Sequence, residues 1–179
     1  MLSCGIRGLR GAKALGAELI AWTVRLGVLC FALTLGGWAA GLKGAHQERW
    51  LRWSWTIGWG LFVLHMLAAF HFQHAWSHQR AYADTAKQTG ELIGWEFGGG
   101  VYFNYLMILL WGVDVCAWWL GWAAAAGYRV WRKVIVAYLC FMIFNGVVVF
   151  KAGWVRWVGV AVCLVLMGIW GRRGGGRGG

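Results

Sequence analysis

The residues of this chain that could do chemistry gather in two places. The first is a run of imidazoles, His65, His71, His74 and His78, four of the five histidines. Two histidines four residues apart, as His74 and His78 are, let one helix present two nitrogens to a single metal ion. If the apolar run that carries His65 and His71 continues as helix through His78, then at 100° per residue His71, His74 and His78 fall within about 60° of one face, with Tyr82 and Thr85 continuing the stripe. His65 then points away. A transition metal is the ligand this face suits, held by His71, His74 and His78 or with Asp84, Glu91 or Glu96 completing the set. Haem is the other cofactor to consider, with His46, Met66, Met107 or Met142 as second axial ligand. No Glu follows His74 as a metalloprotease base would, and no cysteine pair stands nearby. Plain interfacial packing or hydrogen bonding also satisfies a histidine at a membrane surface, and a row of imidazoles that repel when charged can respond to pH.

The second place is Asp114, alone in an apolar run on a face with Met107, Leu110, Trp118 and Gly121. A carboxylate inside a bilayer costs roughly 2.5–3.5 kcal/mol on insertion scales unless it is protonated or paired. It is expected to point into a helix bundle, with Asn104, Asn145 and Arg25 as the intramembrane polar partners in reach. Its role is then either a proton or cation relay or an interhelical hydrogen bond that fixes packing.

The elements that must position these residues are membrane spans. The chain is 60% hydrophobic and 13% charged, has a mean hydropathy of +0.58 and contains no proline, which departs from soluble averages toward a multi-pass membrane protein with unkinked helices. A spanning helix needs about 20 residues. Apolar runs at 21–41, 53–74, 101–125, 134–150 and 155–170 supply five candidates, the last two short and joined by a tight turn. The 16 tryptophans support the map, since Trp50, Trp53 and Trp55, then Trp118, Trp119 and Trp122, then Trp131, Trp154, Trp157 and Trp170 cluster near the proposed ends as an aromatic belt. Trp59 and Trp111, inside their spans, suit core packing. The expected fold class is an all-α integral membrane protein of about five transmembrane helices. A basic segment 1–20 leads into one helical membrane domain, 21–171, and a Gly/Arg tail, 172–179, closes it.

Between the second and third spans lies a polar insert, 75–100. Helix formers fill it as far as Ile93, so the second helix is expected to extend beyond the bilayer as a polar arm and to stop at Gly94 and the run Gly98, Gly99, Gly100. That glycine run lacks the Lys-Ser/Thr of a phosphate loop and serves as a turn.

Orientation follows from the basic residues. One side collects nine, Lys43, Arg49, Arg52, Arg129, Arg132, Lys133, Arg172, Arg173 and Arg177; the other collects seven, Arg7, Arg10, Lys13, Arg80, Lys87, Lys151 and Arg156. Without the first three, nine stand against four. The positive-inside rule then puts the insert outside and the C-terminus in the cytoplasm, as for a bacterial inner-membrane protein. The run 14–41 is longer than a signal-peptide apolar core and carries Glu18 and Arg25, which favours a retained helix over a cleaved leader. Gly37 and Gly41 form a small-xxx-small pair at which another helix could approach. The five cysteines are scattered, and neither a disulfide framework nor a metal set is implied. The net charge of +11 points to topology and anionic lipid, with no nucleic acid among the partners.

The expected function is therefore a non-catalytic multi-pass membrane protein, a structural or accessory subunit of a membrane complex whose partners are the lipid bilayer and another protein. The alternatives are a metal- or haem-binding redox membrane protein using the histidine face, and an ion or proton translocator centred on Asp114. No nucleophile-base pair, paired carboxylates or nucleotide fingerprint speaks for an enzyme.

Overall fold

The computed structural model describes residues 2–122, 125 and 127–146, with the backbone alone at 2–10, 12 and 129. The expected span 155–170, the end of the span 134–150 and the Gly/Arg tail lie outside the described residues. Within them the chain forms five helices and no strand: α1 (Leu2–Ala40), α2 (Ala45–Phe72), α3 (His78–Ile93), α4 (Gly100–Trp119) and α5 (Tyr128–Phe144). Three helical stretches are long and apolar enough to cross a membrane, Lys13–Ala40 in α1, then α2 and α4.

α1 and α2 form the main antiparallel pair, and a seam of small residues explains how closely they pack. Gly16, Thr23, Gly27, Phe31, Thr34 and Gly37 are the buried positions of α1, separated by three, four or seven residues as one helical stripe requires. A Cβ added at Gly27 would come within 2.8 Å of the Phe62 ring, and one at Gly37 within 2.4 Å of Leu51. Ser54 on α2 donates across the seam to the Cys30 carbonyl at 3.1 Å, and Thr34 donates to the same oxygen at 2.9 Å. Gly37 is thus an interface position, whereas Gly41 is not. It takes φ 68° just beyond α1, where its N–H returns to the Trp38 carbonyl at 3.0 Å and ends the helix.

The core is aromatic. Phe31, Trp55, Phe62 and Trp111 pack with ring centroids 4.9–5.6 Å apart, Phe31 stacked on Trp55 and the other pairs tilted or edge-on. Met107 and Val115 of α4 and Ile135 and Leu139 of α5 complete the cluster. Trp111 belongs to the core as its mid-span position suggests. Trp55 differs from the belt expected for it: it is 0% exposed.

The polar insert does not continue α2. That helix ends at Phe72, and the chain reverses through Gln73–Ser77 with Ala75 and Trp76 in left-handed backbone, φ 49° and 60°. Non-glycine residues enter that region rarely; here three helix-terminal hydrogen bonds hold the turn, His74 N–H to the Ala69 carbonyl, Trp76 N–H to Phe70 and Ser77 N–H to His74. Ser77 then caps α3 by accepting from the Arg80 N–H at 3.3 Å, and Gly94, φ 74°, ends it. So the insert is helical, but as a separate helix laid against the start of α4, with Tyr82 beside Gly98 and Thr85 beside Gly100. Helix propensity alone could not reveal the break, because Ala75 and Trp76 favour helix and yield only to the turn.

Candidate functional site

A buried polar constellation lies where α1, α2, α4 and α5 meet. α4 stops at Trp119, short of the expected 125, since Gly121 turns the chain at φ 77°. Asp114 therefore sits in the last turn and a half of its helix instead of at mid-span. The short connection to α5 brings Tyr128 and Arg132, one turn apart on one face of α5, back against it.

The Asp114 carboxylate is 0% exposed and both oxygens are engaged. Oδ2 accepts from the Trp55 indole N–H at 2.9 Å, and Oδ1 accepts from the Tyr128 hydroxyl. The Arg132 Nε stands 3.6 Å from Oδ2. The guanidinium is flanked by aromatic faces, 4.3 Å from the Trp38 centroid and 4.1 Å from that of Trp118. Its Nε and Nη2 are buried without hydrogen-bond partners, so Coulomb attraction and the two rings compensate its charge instead of a forked hydrogen bond. One residue from each of four helices meets at this point: Trp38, Trp55, Asp114 and Arg132.

None of the expected partners of Asp114 reaches it. Asn104 is exposed near the start of α4, ten residues and so roughly 15 Å away along the axis. Asn145 donates to the Phe141 carbonyl at 2.8 Å. Arg25 is exposed and lies 5.1 Å from the ring of its own helix neighbour Trp22. The groups that do reach it were legible as something else: Arg132 as a topology charge, Trp55 as an interfacial anchor. The available signal was the short gap between α4 and α5, which makes positions on either side of it face one another.

The histidines are not gathered on one helix face, because the break after Phe72 divides them. His71 is the last residue but one of α2, and its Nδ1 accepts from the Trp76 indole at 3.3 Å. His74 lies in the turn and donates through Nδ1 to Asp84 Oδ2 at 3.0 Å. His78 opens α3 with both nitrogens engaged, Nδ1 with the Tyr105 hydroxyl at 2.9 Å and Nε2 with the Tyr102 hydroxyl at 3.1 Å. His65 donates to the Ile20 carbonyl of α1 at 2.9 Å. A metal needs imidazole lone pairs converging on one point, and here the three rings of His71, His74 and His78 serve four different partners. Among the described residues no group of three His, Cys, Asp or Glu side chains is placed to hold a metal ion. For a haem, His46 is at the opposite end of α2 from His71, about 38 Å away at the rise of a helix, and Met107 is buried in the core.

Two open clefts flank these sites. One, of about 500 Å³, runs between α1, the end of α2 and α3 past His74 and Asp84. The other, of about 410 Å³, lies at the Asp114 end between the start of α2 and the end of α4. No protein-family model, curated protein or solved structure matches this chain.

Proposed function

We propose that this chain is a non-catalytic multi-pass membrane protein that serves as a structural or accessory subunit of a membrane complex. The observation that carries the proposal is the Asp114 cluster. Its carboxylate is dry, both its oxygens accept from tryptophan and tyrosine, and its arginine neighbour balances its charge, which makes it a fastening for helices. A relay would need the carboxylate to exchange protons with water, and a redox centre would need the imidazoles to converge.

The expectation of a partner is supported by surface. Within the described residues only 22% of the most apolar stretch of α1, and the same share of α2, is covered by the bundle, against 39% for α4. In the proposed topology the insert faces outward and the C-terminus lies in the cytoplasm of a bacterial inner membrane. Arg132 adds little to that orientation, because its charge is matched by Asp114. The basic residues left on its side still outnumber those opposite once Arg7, Arg10 and Lys13 are set aside.

The test is purification from membranes in mild detergent. The protein should resist carbonate extraction and elute with one partner in constant ratio, and loss of the chain should lower the partner's abundance. A reporter after Gly179 should read cytoplasmic and a label at Thr89 should react from outside. A monodisperse chain that collapses a proton gradient in vesicles in an Asp114-dependent way would contradict the proposal, as would one stoichiometric metal or haem.

A further inference from the structure

Near the Asp114 cluster a second arginine shares Trp118 with Arg132, and among the described residues no carboxylate pairs with it. Arg52, on α2, lies 5.1 Å from the Trp119 centroid and 5.7 Å from that of Trp118. Its Nε is buried and has no hydrogen-bond partner, and a charged donor left in that state is costly. Among the described residues the ion pairs are His74 with Asp84 and Arg132 with Asp114, so neither Arg52 nor Arg49 is matched. Both line the cleft of about 410 Å³, together with Ala45, Glu48, Trp53 and Trp119.

The cleft is built and held. The Trp119 indole donates to the Thr56 hydroxyl at 3.0 Å and packs edge-on against Trp53 at 5.0 Å, fixing the ring that Arg52 lies beside. Two guanidiniums against one carboxylate leave the cleft with a net positive charge. Its depth is marked by exposed indoles, Trp53 at 51% and Trp119 at 42%, the side chains that settle at headgroup level. Directly beneath, Ile57 and Leu64 continue the Trp53 face of α2 toward the middle of the helix, both exposed. An anion that also carries acyl chains fits the charge above and the apolar strip below.

We propose that the cleft between the start of α2 and the end of α4 binds the headgroup of an anionic phospholipid, with Arg49 and Arg52 on the phosphate and the acyl chain along Ile57 and Leu64. Glu48 on the wall accepts from headgroup hydroxyls. The proposal rests on the membrane reading of the fold.

The experiment is native mass spectrometry of the full chain released from nanodiscs of equal phosphatidylglycerol and phosphatidylcholine. The wild type should retain phosphatidylglycerol in preference, by about fivefold for each arginine engaged. Arg49→Gln and Arg52→Gln should each reduce that preference, and Arg52→Lys should recover part of it. Lys87→Gln, at the other end of the bundle, should leave it unchanged. Inorganic phosphate added at equal concentration should not displace the lipid. Equal retention of both lipids, a preference untouched by Arg49→Gln, or ready displacement by phosphate would overturn the proposal. Arg49 is exposed on the rim, so its variant decides the matter even where Arg52→Gln fails to fold. Full extraction by carbonate would instead overturn the membrane reading, whereas a carbonate-resistant chain with no lipid preference would overturn this site alone.

Discussion

The two ends of the bundle solve the same problem, ionisable side chains beside apolar helices, in opposite ways. At the α4–α5 end Asp114 and Arg132 are withdrawn from water and tied to three indoles and a phenol, those of Trp38, Trp55, Trp118 and Tyr128. At the α3 end His74 meets a carboxylate that is 52% exposed, and His78 meets the hydroxyls of Tyr102 and Tyr105. A withdrawn charge must have its partners, so the first end fastens helices together. An exposed pair shares its work with solvent and fastens little.

That contrast orders the expected effects of substitution. The largest should follow Asp114→Leu, which strands the Arg132 guanidinium in a site where it is 21% exposed. Removing one partner of a buried pair costs about 3–5 kcal/mol, and this residual exposure puts the loss near about 3, read as a lowered midpoint in mixed-micelle denaturation. Asp114→Asn keeps the shape and can still accept from Trp55, but it too leaves Arg132 without a counter-charge, so it should destabilise measurably. Trp55→Phe removes the indole donor to Asp114 and should cost about 2 kcal/mol, in the range for a hydrogen bond to a charged group. Ser77→Ala should cost about 1 kcal/mol, confined to α3 and visible as faster amide exchange over its first turn. Asp84→Asn, at the exposed pair, should change the midpoint by no more than about 0.5 kcal/mol. A large effect of Asp84→Asn together with a negligible one of Asp114→Leu would invert the comparison.

Much of the architecture was legible in residue patterns. The helical class, the apolar stretches of α1, α2 and α4, the stop at Gly94 and the inward aim of Asp114 all follow from run length, glycine position and the cost of a buried carboxylate. The break after Phe72 was not, because no glycine or proline marks it and two ordinary residues adopt left-handed backbone to make it. That single break separates His71, His74 and His78 onto a helix end, a turn and a new helix. The partners of Asp114 escaped for a different reason. Arg132 and Trp55 are residue types whose common membrane role is at the interface, and only the end of α4 at Trp119, with its close return into α5, turns them inward. Of the seam positions, Gly37 was legible through its small-xxx-small spacing, whereas Gly27 was hidden by the abundance of glycine elsewhere in the chain.

The central claim is that Asp114 and Arg132 act as one neutral fastening, and a double-mutant cycle measures it directly. The stabilities of wild type, Asp114→Asn, Arg132→Gln and the double variant, taken in the same micelles, give the coupling between the two sites. The account predicts that the double variant is more stable than the sum of the single losses allows, by at least about 1 kcal/mol, since neither charge is then left unmatched. Additive losses, with the double variant as weak as its two parents combined, would contradict it.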